Sequence, residues 1–114
     1  MQKKTQTTRR LFIDKLFDII SDESNFDIVC WNEEGDGFQI KKQKLFEDQI
    51  LPMYFNGIIF NSFLRQLNMY YFDYLKEDKT SFKLFKNANF LKGRRDLLRV
   101  IPHRTKENRR RAKE

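Results

Sequence analysis

Apolar positions along the chain fall in short runs whose period switches from helical to alternating and back. Between Leu11 and Ile20 they sit at Phe12, Ile13, Leu16, Phe17, Ile19 and Ile20, with Asp14, Lys15 and Asp18 opposite. That spacing predicts an amphipathic helix. Thr7 or Thr8 offers a hydroxyl to cap its start. Ile28-Val29-Cys30-Trp31 is a β-branched and aromatic run, Glu33 to Gly37 carries turn residues, and Phe38-Gln39-Ile40 alternates. Together they predict a β-hairpin. Residues 43–55 return to helical spacing through Leu45, Phe46, Ile50, Leu51, Tyr54 and Phe55. Pro52 lies inside that pattern and has to kink or break it, because it lacks the N–H and its ring meets the preceding turn. Asn56-Gly57 then marks a sharp turn.

A third helix is predicted from about Phe60 to Tyr71. Phe60, Phe63, Leu64, Leu67 and Tyr71 form its inward stripe, and Asn61, Ser62, Arg65, Gln66, Asn68 and Met69 its outward face. Residues 72–75 and 82–85 read as strands joined by the polar stretch Lys76 to Ser81. Leu97, Leu98, Val100 and Ile101 predict a short closing helix. Two helices joined by a tight turn and followed by a hairpin predict an α+β fold. Its form is a winged helix-turn-helix: a three-helix core with a small antiparallel sheet and a short wing.

The 114 residues are 39% hydrophobic and include 12 Phe, enough for one domain with an aromatic core. The expected organisation is a basic, disordered arm over 1–10, the domain over 11–104 and a basic tail over 105–114. The arm is Thr-rich and acid-free like a transit peptide, but the chain already reads as domain from Leu11. No stretch approaches the roughly 18 apolar residues of a membrane span, and no apolar segment after the first basic residues marks a secretory signal. Cys30, the only cysteine, has no intramolecular disulfide partner and is expected as a packed core thiol. With one cysteine and one histidine the chain cannot build a zinc finger. His103 is expected at the surface or facing phosphate, and Glu33, Glu34 and Asp36 in a solvated turn. No Gly-rich phosphate loop and no nucleophile, base and orienter set is present. The expectation is therefore no enzyme, no cofactor and no metal.

Charge changes the picture more. The net charge is +7, but residues 11–55 carry ten acids against four bases, whereas residues 56–103 carry nine bases against four acids. Both ends are basic. The C-terminal half thus presents the electrostatic footprint of a polyanion binder. Arg65 is the only full charge over residues 56–72. A patch made for generic phosphate binding would be Lys-rich. One arginine among amides instead matches base edges: Arg pairs with guanine O6 and N7, and Asn or Gln with adenine N6 and N7.

The segment Ser62-Phe63-Leu64-Arg65-Gln66-Leu67-Asn68-Met69-Tyr70-Tyr71-Phe72 resembles the recognition segment of the heat-shock factor DNA-binding domain. That family typically reads Ser-Phe-Val-Arg-Gln-Leu-Asn-Met-Tyr-Gly-Phe there. The resemblance covers about residues 11–104. Phe12 to Phe17 is similar to the opening Phe-x-x-Lys-Leu-Trp, with Phe17 for Trp. Val29-Cys30-Trp31, Gly35 and Phe38 resemble the first hairpin. Leu51-Pro52-Met53-Tyr54-Phe55 resembles Leu-Pro-x-Tyr-Phe, whose proline sits in a bulged helix. Phe90-Leu91-Lys92-Gly93 with Leu97-Leu98 resembles the closing segment. The resemblance implies a nuclear, sequence-specific double-stranded DNA-binding transcription factor domain. Its third helix would enter the major groove and read inverted nGAAn units. Arg65 matches the arginine that contacts guanine. Asn61, Ser62, Gln66, Asn68, Tyr70 and Lys92 are the expected helix-supporting and backbone-contacting residues.

The chain also departs from the family. The turn that usually ends Lys-His-Asn-Asn reads Asn56-Gly57-Ile58-Ile59, which removes phosphate contacts. Tyr71 stands for a usual glycine, Asp73-Tyr74 for a basic pair, and the wing is short. Lys92, Arg94, Arg95 and the basic tails are the candidates to compensate. No a/d heptads follow residue 104, so self-association or pairing with a full-length relative would not use a coiled coil in this chain. Two alternatives stay open: a winged-helix protein-interaction module using Ile58-Ile59, and non-specific nucleic-acid binding through the tails.

Overall fold

Phe12, Ile13, Leu16, Phe17, Ile19 and Ile20 are all buried along one side of the first helix, α1 (Thr8–Ser21). They appear so in a computed structural model that describes residues 8–76 and 82–104. The helix begins at Thr8, three residues ahead of the apolar pattern, so Thr8 lies within it. Thr7, the rest of the arm, the tail and most of the wing connection lie outside the described residues.

The predicted hairpin forms from β1 (Val29–Trp31) and β2 (Gly37–Ile40), paired antiparallel with Trp31 opposite Phe38. Its turn is held by the buried Asn32. That side chain accepts from the N–H of Asp36 and of Gly37, both at 3.0 Å, and donates to Asp36 Oδ1 at 2.8 Å. The second pair, β3 (Asp73–Lys76) and β4 (Lys83–Lys86), completes an antiparallel sheet in the order β1-β2-β4-β3. Gly37 faces Lys86 across β2 and β4. A Cβ on Gly37 would lie 2.8 Å from the Phe85 carbonyl oxygen, so glycine is what allows this close approach.

The helical run with Pro52, α2, is continuous but not uniform. It joins Gln43–Leu45, a π-helical stretch Phe46–Ile50 and Leu51–Phe55. The N–H of Leu51 reaches back five residues to Phe46 O. Widening the turn here lets the chain carry Pro52 without its ring meeting the carbonyl four residues earlier. The helix stops at Asn56 and Gly57, both left-handed at φ 54° and 91°.

The third helix, α3 (Phe60–Met69), ends two residues before the predicted limit. Tyr70 and not Tyr71 is therefore the buried residue at its end: Tyr70 is 3% exposed. Tyr71 falls after the helix at φ 64°, outside the 3.6-residue repeat, so its place in the inward stripe is corrected. A 3₁₀ turn, Arg95–Val100, forms the predicted closing element and buries Leu98.

The core lies between the three helices and the inner face of the sheet. Phe63 of α3 meets Phe12 of α1 at 5.8 Å and Phe46 of α2 at 5.0 Å, so one buried ring ties all three helices together. Phe38, Phe85 and Phe90 continue the aromatic core across the sheet. Aromatic rings at these separations contribute about 0.5–1.5 kcal/mol per pair beyond their burial.

Candidate nucleic-acid interface

The inner face of α3 is fixed by Phe63 and Leu67, which are 0% and 2% exposed. Its opposite face is thereby forced outward. Asn61, Ser62, Arg65 and Asn68 are exposed there and Gln66 is half-buried. Arg65 has no ion pair or hydrogen bond to any described residue. Its guanidinium is thus available, flanked by amides and a hydroxyl within one helical turn on either side.

Both ends of α3 differ from the common pattern. At the N-terminus the capping position is Ile59, whose side chain supplies no acceptor and is 65% exposed. Ile58 packs against the core. The polar turn that would reach phosphates is thus replaced by one inward and one outward isoleucine. The C-terminus is bound closely. The N–H of Phe72 donates to Leu67 O and that of Tyr71 to Asn68 O, both at 3.0 Å. This is the double bond of a Schellman motif, where the residue Tyr71 occupies is usually glycine. The buried Asn87 donates to Tyr70 O at 2.8 Å, and the backbone N–H of Arg104 to Met69 O at 2.7 Å.

The remaining expected residues sit elsewhere. Tyr70 is in the core, its ring stacked on Phe12 at 5.6 Å, which makes it a support of the helix. Lys92 is exposed on a different segment. Its N–H donates to Gly35 O at 2.9 Å and its stem covers Gly35 in the first hairpin. Of the other candidates to compensate, Arg94 pairs with Asp96 at 2.9 Å and Arg95 with Asp18, so both guanidinium groups are already engaged. His103, expected at the surface, is half-buried with its ring 4.7 Å from that of Tyr70. The packing of residues 101–104 back onto α3 accounts for this correction. Sequence reasoning missed Asn87 and Arg104. Tyr71 in the place of glycine was the one visible signal that something holds this end. Cys30 is buried, as expected. Asp36 accepts from Asn32 and faces Lys86 at 3.4 Å, which lowers its carboxyl below the usual range. Among the described residues no three His, Cys, Asp or Glu side chains converge to hold a metal ion, and no helix is long and apolar enough to cross a membrane.

Against known proteins, the HSF-type DNA-binding family matches residues 12–104. The chain belongs to that family. The heat shock transcription factor of Saccharomyces cerevisiae is 38% identical over 112 residues, covering 84% of this chain and 13% of that protein. Heat stress transcription factor B-1 of Arabidopsis thaliana is 41% identical over 93 residues, covering 82% of this chain and 32% of that protein. The chain thus spans a third or less of the length of these relatives. The crystal structure of Chaetomium thermophilum Skn7 with HSE DNA has a TM-score of 0.76 at 33% identity, covering 82% of this chain and 99% of that one. A heat shock transcription factor/DNA complex has a TM-score of 0.59 at 32% identity, covering 67% and 92%. The winged-helix fold predicted for this HSF-type domain is the one these neighbours share.

Proposed function

We propose that this HSF-type domain binds double-stranded DNA in a sequence-specific manner and acts in transcription, with α3 in the major groove. The observation that carries the proposal is the Arg65 guanidinium, without a partner among the described residues, on the outward face of a helix locked to the core by Phe63 and Leu67. A bidentate arginine to guanine needs a rigid platform, and this helix is one. Asn61, Ser62, Gln66 and Asn68 surround Arg65 as further contacts to bases or backbone. The solved relatives bound to DNA support the same reading. The units read are inverted nGAAn, and the site of action is the nucleus. The domain proper is residues 11–104, with the basic flanking segments adding phosphate attraction.

Arg65→Ala tests the assignment in a fluorescence anisotropy titration. The expected loss is about 1–3 kcal/mol on the nGAAn duplex, with discrimination relaxed at the guanine. Unchanged affinity and preference would overturn the docking.

A second reading draws on the exposed Ile59 at the α2–α3 turn and Met53 on α2, 65% and 72% accessible. It assigns the domain to protein contact, and predicts saturable partner binding with equal affinity for all DNA sequences.

A further inference from the structure

The outward face of α3 reads bases only if the helix is held at a fixed angle, and its C-terminal end is held by an unusual set of contacts. Met69 is the last helical residue, and the carbonyls of a helix's last turn lie beyond the regular intrahelical ladder. The backbone N–H of Arg104 donates to the Met69 carbonyl at 2.7 Å. The guanidinium of Arg104 then lies over the ring of Tyr71, 4.1 Å from its centre. The Arg104 Nε is buried and has no hydrogen-bond partner among the described residues, and the guanidinium rests instead on the ring face of Tyr71. One position earlier, His103 packs edge-on against Tyr70 at 4.7 Å. Residues 103 and 104 thus form a strap across the end of α3, some 35 residues away in sequence.

Tyr71 supplies the ring on which the Arg104 guanidinium rests. It stands in the left-handed conformation at φ 64°, which normally falls to glycine, and a glycine would leave the guanidinium no ring. The chain accepts local backbone strain and gains a platform for Arg104 in return.

We propose that Arg104, seated on Tyr71, is a positioning residue for base readout: it fixes the angle of α3 and thereby the approach of Arg65 to guanine. The inference rests on the DNA-reading function proposed above. Arg104 itself touches no base and acts through the helix.

The test compares the full chain with Arg104→Ala, Arg104→Lys, Tyr71→Ala and the Arg104→Ala/Tyr71→Ala double variant. Each is titrated on an nGAAn duplex and a scrambled duplex at two salt concentrations. Thermal melts are run alongside, and binding is measured well below every melting midpoint. Arg104→Ala is expected to lower the ratio of the two affinities about fivefold or more, in the range of ordinary coupling between sites. Arg104→Lys should restore part of it, since a lysine still meets the ring face. Tyr71→Ala should lower the ratio similarly, and the double variant no further. Three results overturn the inference. The melting midpoint drops while the ratio holds, which is a structural role only. Both affinities fall equally and the salt slope decreases by about 1, which is a direct phosphate contact. Or Tyr71→Ala and Arg104→Ala act additively. If the wild-type chain itself prefers neither duplex, the DNA-reading function fails first, so the two failures are distinguishable.

Discussion

Replacing Tyr71 by glycine and by alanine separates the strain at this position from the contact made there. Tyr71 holds φ 64° at the end of α3, with Arg104 over its ring at 4.1 Å. Both replacements remove the ring and its stack equally, so the difference between them reports the backbone alone. A residue with a Cβ in the left-handed region costs ~1–2 kcal/mol. Glycine avoids that cost but gives back ~0.5–1 kcal/mol, because its unfolded chain is freer. Tyr71→Gly is therefore expected to be more stable than Tyr71→Ala by ~0.5–1 kcal/mol, roughly 2–8 °C in melting midpoint for a domain of this size. Wild type should in turn exceed Tyr71→Ala by the stack, ~0.5–2 kcal/mol for a half-buried pair. Thermal and urea melts followed by circular dichroism measure both differences. An alanine variant as stable as the glycine variant would refute the reasoning, since residue 71 would then carry no left-handed strain.

Further expectations concern the other end of α3, the sheet and pH. Ile59→Asn should supply the missing cap and stabilise the domain by ~1 kcal/mol, little burial being lost at a side chain 65% exposed; a lower melting midpoint would contradict the capping geometry. Gly37→Ala should destabilise by ~1–3 kcal/mol, because its Cβ would sit 2.8 Å from the Phe85 carbonyl oxygen in the neighbouring strand; a neutral effect in urea melts would show that β2 and β4 can separate freely. Asp22 is lowered by its Ser24 bonds, Asp36 by Asn32 and Lys86, and Asp96 by Arg94. A carboxylate with a lowered folded pKa stabilises above its ordinary range and loses that contribution as pH falls through the folded value. The melting midpoint should therefore fall as pH drops below about 4, and a rise on acidification would contradict these pairings.

Much of the fold was legible because the apolar period changed at each boundary. The stripe of Phe63 and Leu67 gave the direction of α3, and with it the outward placement of Arg65. Where the chain left the regular repeat, legibility stopped. Pro52 announced a break in α2, but that the turn would widen ahead of it, at Phe46–Ile50, depends on how the freed bonds are shared. Tyr71 continued the apolar repeat arithmetically, yet the helix ended at Met69 because a Schellman turn and Asn87 close it there. Lys92, Arg94 and Arg95 were grouped as compensating charge from proximity in sequence. Lys92 and Arg95 contact Gly35 and Asp18, tertiary neighbours that no local pattern contains, whereas Arg94 pairs with Asp96 only two residues on. Arg104, the last residue of the expected domain, gave no local sign of its contacts with Met69 and Tyr71 for the same reason.

A competition titration tests the central claim most directly. The chain is bound to a duplex carrying inverted nGAAn units and displaced by a scrambled duplex of equal length, at two salt concentrations. Sequence reading through Arg65 predicts a preference of about a thousandfold that persists at the higher salt and shrinks in Arg65→Ala. Equal displacement by both duplexes, with binding that collapses as salt rises, would contradict it and leave only charge attraction to DNA.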